Sequence, residues 1–93
     1  MSTSPPTPRW PAPALDAGDL LSPSLVLFRE PLERNLNRMI EIAGGAARLR
    51  PHCKTHKMAA VTRLELDRGI IRHKCATFAE AEMLAETGVR DIF

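Results

Sequence analysis

The amino-acid sequence predicts an α/β fold: the N-terminal part of a (β/α)8 TIM-type barrel, about three β-α units of it, incomplete in this chain. Three observations carry that expectation. Short apolar runs alternate with amphipathic stretches in the rhythm β-α-β-α-β-α-β, a strand starting roughly every 20 to 24 residues, which is the pitch of a parallel sheet with crossover helices. Each helical stretch closes on glycine, at Gly44-Gly45, Gly69 and Gly88. The chain has 93 residues, whereas a complete barrel needs about 250, and a fourth strand begins only at Asp91-Ile92-Phe93. The sequence is therefore expected to be the front of something larger; an open doubly wound sheet fits the same rhythm.

Residues 1–21 read as a disordered Pro-rich arm, because Pro5, Pro6, Pro8, Pro11 and Pro13 remove backbone donors and fix φ. Order is expected from residue 22 to residue 93. Ser24 to Phe28 reads as a strand, with Leu25, Val26, Leu27 and Phe28 in a continuous apolar run. A helix follows, with Pro31 in its first turn, Leu32, Leu36, Met39, Ile40 and Ala43 on one face, and Glu30 placed for a pair with Arg34. Arg48 to His52 is a second strand by position. Thr55 to Arg68 is a second helix, with Met58, Val61 and Leu64 inward. Ile70 to Ala76 is a third strand, on which His73 and Cys75 share a face that Lys74 does not. Thr77-Phe78-Ala79-Glu80 carries the capping-box pattern and opens a third helix with Phe78, Ala81, Leu84 and Ala85 on one stripe.

Composition excludes several classes. The net charge of +2 is spread along the chain, and Trp10, Phe28, Phe78 and Phe93 are its only aromatics, so neither a nucleic-acid surface nor a base-stacking platform is expected. No apolar stretch is long enough to span a membrane, and no secretory signal is expected at the start of the chain. Cys53 and Cys75 suit reduced thiols, and a cytoplasmic location is expected.

The run Leu49-Arg50-Pro51-His52-Cys53-Lys54-Thr55-His56-Lys57 concentrates the chemistry at the end of a strand, where α/β proteins place their active groups. A lysine in cationic, partly desolvated surroundings loses its proton more readily, so Lys54 is a candidate Schiff-base amine. The plain alternative is a solvated surface lysine, the usual fate of the residue type. His52, Cys53, His56, His73 and Cys75 are five potential zinc ligands, yet their spacing matches no zinc-finger or ribbon pattern, and no metal ligands are assigned. Cys53 as a nucleophile, with His52 or His56 as base, is weaker than the lysine reading because neighbours on a strand point apart.

Arg50-Pro51-His52-Cys53-Lys54-Thr55-His56-Lys57, followed by Cys75-Ala76-Thr77-Phe78-Ala79-Glu80-Ala81-Glu82, resembles the D-threonine aldolase and D-serine dehydratase family, pyridoxal-phosphate enzymes of the alanine-racemase-like fold. Leu32-Glu33-Arg34-Asn35 and Ser22-Pro23-Ser24-Leu25-Val26 are similar to the family's first helix and its approach. Phe28 departs from it, standing where the family often has an acidic residue. The resemblance implies that residues 22–93 are the N-terminal part of a pyridoxal-phosphate-binding barrel domain. It further implies that Lys54 is the catalytic Schiff-base lysine and that His52, Thr55 and His56 join it in holding pyridoxal 5'-phosphate. The implied activity is that of a lyase on β-hydroxy-D-amino acids, of D-threonine aldolase or D-serine dehydratase type. A divalent metal is possible in the complete family protein, with ligands outside this chain. The expected partners are a small-molecule D-amino acid and, for the full-length protein, a second copy in a homodimer. The 93 residues alone are expected to be inactive. The alternatives are a truncated non-catalytic chain that covers its open sheet edges on a partner, and a small zinc-binding module using His52, His56, His73 and Cys75.

Overall fold

A computed structural model describes residues 25–93. The Pro-rich arm, Trp10 and Ser22 to Ser24 lie outside the described residues. Helix α1 runs over Arg29–Ala43, α2 over Ala59–Asp67 and α3 over Phe78–Thr87, with short strands β1 at Arg72–His73 and β2 at Asp91–Ile92. β1 and β2 pair in parallel, Arg72 opposite Asp91 and His73 opposite Ile92. Parallel neighbours with a helix between them are what the β-α rhythm demands.

Local signals set most boundaries. Gly44 ends α1 at φ +82°, and its amide reaches back to the carbonyls of Ile40 and Glu41. The expected Glu30–Arg34 pair is not formed. Arg29 instead meets Glu33 at 3.4 Å, and Glu33 also accepts from Arg68 at 3.1 Å. Arg68 donates further to Asn37 Oδ1 at 2.8 Å and to the Leu64 carbonyl, which ties the end of α2 to the middle of α1. The Arg68 hydrogen bond holds the Glu33 carboxyl below its usual value.

The expected first strand is not one among the described residues. Leu25, Val26 and Leu27 stay exposed and join no ladder. An apolar run marks a segment that will be buried, but a strand also needs a neighbour, and none of the described elements offers one. The second strand shrinks to one parallel bridge between His52 and Lys74. Lys74 N–H donates to the Pro51 carbonyl at 2.9 Å and Cys53 N–H to the Lys74 carbonyl at 3.0 Å, so a line of backbone from residue 51 to residue 53 runs beside β1.

α3 is capped as its sequence predicts: Thr77 Oγ1 accepts from Glu80 N–H at 3.1 Å. Its inward face differs from expectation. Glu80 and Leu84 are buried, while Phe78 is 92% exposed and Ala85 is exposed. Capping turns Glu80 inward, and a residue two positions earlier lies about 200° away around the helix. The core beneath joins Cys53, Leu84 and Val89, with Leu66, Cys75, Met83 and Ile92 packed against it.

Strand alternation then sorts the remaining side chains. His73 is fully buried on the helix side, whereas Arg72 and Lys74 are exposed on the opposite face. Ladder partners share a face, so Lys74, Arg72 and Asp91 line one side of the sheet that none of the described elements covers. There Arg50 Nη2 meets Asp91 Oδ1 at 2.8 Å, and Lys74 Nζ lies 5.5 Å from the Phe93 ring centre.

Candidate functional site

The segment from Cys53 to Lys57 is a compact turn at the C-terminal end of the backbone line that pairs with β1. One turn of 3-10 helix covers Cys53–Thr55, and the Cys53 carbonyl accepts from His56 N–H at 3.3 Å and Lys57 N–H at 2.8 Å. The sequence predicted that a helix starts at Thr55; it starts four residues later, at Ala59. The backbone at Lys57 accounts for the delay: at φ +53° it leaves the right-handed region and interrupts the helix that the spacing predicted. His52 Nδ1 accepts from Lys54 N–H at 3.1 Å and His56 Nδ1 from Met58 N–H at 2.9 Å. Each ring thereby takes up an amide two residues on, and the His52 bond caps the start of the 3-10 turn. Both rings then carry their proton on Nε2.

Lys54 is thus displayed on the outside of a turn whose backbone is fixed on both sides, and Thr55 beside it is exposed as well. The chain has three lysines. Lys74 lies over Phe93, and Lys57 lines a cleft with Thr77, Ala79, Glu80 and Met83, where its charge favours ionised Glu80. Lys54 makes no ion pair among the described residues.

Of the other expected site residues, His52 is half-buried next to Lys54, while the His56 ring turns toward α2. His56 Nε2 lies 3.9 Å from Glu65 Oε1, longer than a hydrogen bond. Burial and the nearby His73 push the His56 pKa down. Glu65 is 4% exposed, and burial pushes its carboxyl up to about 7. His73, buried and donating Nε2–H to the Ile70 carbonyl at 2.8 Å, is pushed down by the same cause. Nothing in the reading of the sequence singled out Glu65. Its signal was spacing, since it stands one helical turn after Val61 on the buried stripe.

Lys57 is the one non-glycine among the described residues with positive φ, at +53°. A left-handed conformation is costly for a side chain branched at Cβ and free for glycine. Lys57→Val is expected to lower stability by about 1–2 kcal/mol, while Lys57→Gly stays within about 0.5 kcal/mol of the parent, read from urea midpoints.

The zinc set foreseen as an alternative is not assembled. Among the described residues, His52, Cys53 and Glu80 are instead the group whose ligand atoms lie within 4.8 Å of one another. Of the three, Cys53 and Glu80 are hydrogen-bonded to each other, while the His52 ring is bonded to the Lys54 amide. Cys53 Sγ donates to Glu80 Oε1 at 3.5 Å, and burial, reinforced by Glu80, pushes the thiol up to about 11. A buried protonated thiol is a poor nucleophile, which removes Cys53 from the candidate reactive groups. Glu80 was read as a capping residue alone, and the structure adds this second attachment.

No family model matches the chain, and no solved structure matches it. Among curated proteins, it is 33% identical over 82 residues to the 3-hydroxy-D-aspartate aldolase of Paracoccus denitrificans strain Pd 1222 and, to the same extent, to that of Paracoccus denitrificans. The match takes in 86% of this chain and 21% of the relative, so the chain spans about a fifth of the length of the curated relatives it matches. A match covering that share of 93 residues necessarily includes the turn that bears Lys54. No helix among the described residues is long and apolar enough to cross a membrane.

Proposed function

We propose that this chain is the lysine-bearing N-terminal part of a pyridoxal-phosphate-dependent lyase acting on β-hydroxy-D-amino acids, of D-threonine aldolase or D-serine dehydratase type. The observation that carries the reading is the similarity to a 3-hydroxy-D-aspartate aldolase across the segment that displays Lys54 at a strand end. In this reading Lys54 Nζ holds pyridoxal phosphate covalently, and His52, Thr55 and His56 shape its surroundings. The cofactor supplies an electron sink for the bond broken at the substrate's α-carbon.

The residues present suit that group. An exposed amine on a rigid turn is reachable by a carbonyl, and fixed backbone on both sides limits where it can swing. His52 turns its Nδ1 to the Lys54 amide, which leaves Nε2–H available as a donor to an anionic ligand. Arg50, Arg72 and Lys74 make the uncovered sheet face cationic apart from Asp91. Parallel sheets are covered on both faces. The open face therefore supports the further proposal that the segment is the start of a (β/α)8 barrel, with that face directed inward. The same face is the one observation favouring a second reading, a non-catalytic chain that seats its sheet on another polypeptide.

The protein expressed from its natural gene, supplied with pyridoxal phosphate, is expected to release glycine from D-threonine or ammonia from D-serine and to leave the L-isomers intact. Loss of neither D-substrate under saturating cofactor would count against the lyase reading.

A further inference from the structure

Glu80 does more than cap α3. Its Oε1 accepts from Ala76 N–H at 3.0 Å and from the Cys53 thiol at 3.5 Å, and its Oε2 accepts from Thr77 Oγ1 at 3.1 Å. The carboxylate is 4% exposed, so these donors replace its water. Cys53 is in turn the hub of the lysine turn. Its amide is bonded into the ladder at Lys74, its carbonyl closes the turn onto His56 and Lys57, and its side chain is 2% exposed. One buried carboxylate thus connects the start of α3, the end of the β1 segment and the residue immediately before Lys54. Lys57, on the far side of the turn, lines the same cleft as Glu80.

We infer that Glu80 is a positioning residue for Lys54: through the Cys53 thiol it fixes the turn that aims the Lys54 amine, so that this amine meets an incoming aldehyde in one orientation. The inference rests on the proposed role of Lys54 and deepens it. Capping alone needs only Thr77 and the first amides of α3, and it does not call for a bond to a residue 27 positions earlier. The link is buried, and an interaction of this kind constrains geometry more than it adds stability.

The test uses the natural gene product stripped of cofactor and recharged with pyridoxal phosphate, following the rise of visible absorption, with the thermal midpoint measured in parallel. Cys53→Ala removes the link and leaves the carboxylate's bonds to Ala76 and Thr77; Glu80→Ala removes the link and those bonds, keeping only the backbone half of the cap; Glu80→Gln keeps a carbonyl oxygen to accept from Ala76 N–H and the Cys53 thiol, with an amide N–H donating to Thr77 Oγ1 in place of Oε2. Cys53→Ala and Glu80→Ala are expected to slow recharging roughly tenfold, with Glu80→Gln within about twofold of the parent. Ile70→Val, a mild core change away from the turn, is expected to lower the thermal midpoint without slowing recharging. If Glu80→Ala fails to fold, Cys53→Ala decides. Recharging at the parent rate in Cys53→Ala overturns the inference while the role of Lys54 stands. A parent protein that never takes cofactor onto Lys54 overturns both.

Discussion

Lys54→Ala in the natural gene product is expected to abolish covalent retention of pyridoxal phosphate and, with it, cofactor-dependent turnover. The expectation rests on the proposed role of Lys54, since all three lysines are exposed and none forms an ion pair among the described residues. The Lys57 side chain lines the Glu80 cleft and Lys74 lies over Phe93, whereas Lys54 stands outward from its turn. The substitution should cost little stability. The structural role of position 54 is its backbone N–H to His52 Nδ1, which alanine retains, and exposed side chains are generally within about 0.5 kcal/mol of neutral when replaced. Lys54→Arg keeps the positive charge but has no primary amine to condense with the cofactor's aldehyde, and it should fail equally. Charge and covalent chemistry are thereby separated. If Lys57→Ala abolished retention and Lys54→Ala did not, the lysine would have been assigned one helical turn too early.

Glu65→Gln is expected to change how stability depends on pH. Burial raises the Glu65 carboxyl from 4.5 to about 7, so between those values the folded chain binds more protons than the unfolded one. Stability contributed by the protonated carboxyl is present below pH 4.5 and is lost as pH rises through about 7, a loss of about 3 kcal/mol. His56 and His73, both held below 6.5 by burial, act in the opposite sense. The unfolded chain protonates these rings first as pH falls, so their contribution grows as pH rises toward 6.5. In the parent the two trends partly cancel. Glu65→Gln removes the first and leaves the second. The stability difference between variant and parent should therefore move in the variant's favour by about 3 kcal/mol from pH 4.5 to pH 8, in urea titrations. A difference that stays flat across that range would mean Glu65 is ionised in the fold at little cost, contrary to its burial.

What could be read from the sequence is what short-range chemistry decides. The end of α1 at Gly44, the Thr77–Glu80 cap and the end of α2 before Gly69 each follow from residues within one turn of the feature they set. The burial of His73 against the exposure of Lys74 follows from strand alternation alone. Features that depend on distant partners were misread. Leu25 to Phe28 has the composition of a strand, but its pairing lies outside anything its own residues specify. Phe78 looks like a core residue by type and spacing, yet the inward turn of Glu80 fixes the rotation of α3 and leaves the ring outside. The delayed start of α2 comes with the left-handed backbone at Lys57, a local conformation that helix periodicity does not contain. At the candidate site the Lys54 turn was legible as a motif. Its attachment through Cys53 to Glu80 was not, because 27 residues separate the two.

The most direct measurement is borohydride reduction of the natural gene product loaded with pyridoxal phosphate, followed by digestion and peptide mapping of the fixed label. The account predicts a single pyridoxyl group on Lys54, in the peptide containing His52, Thr55 and His56. Label on Lys57, Lys74 or a lysine elsewhere in the protein, or no label at all, would contradict it.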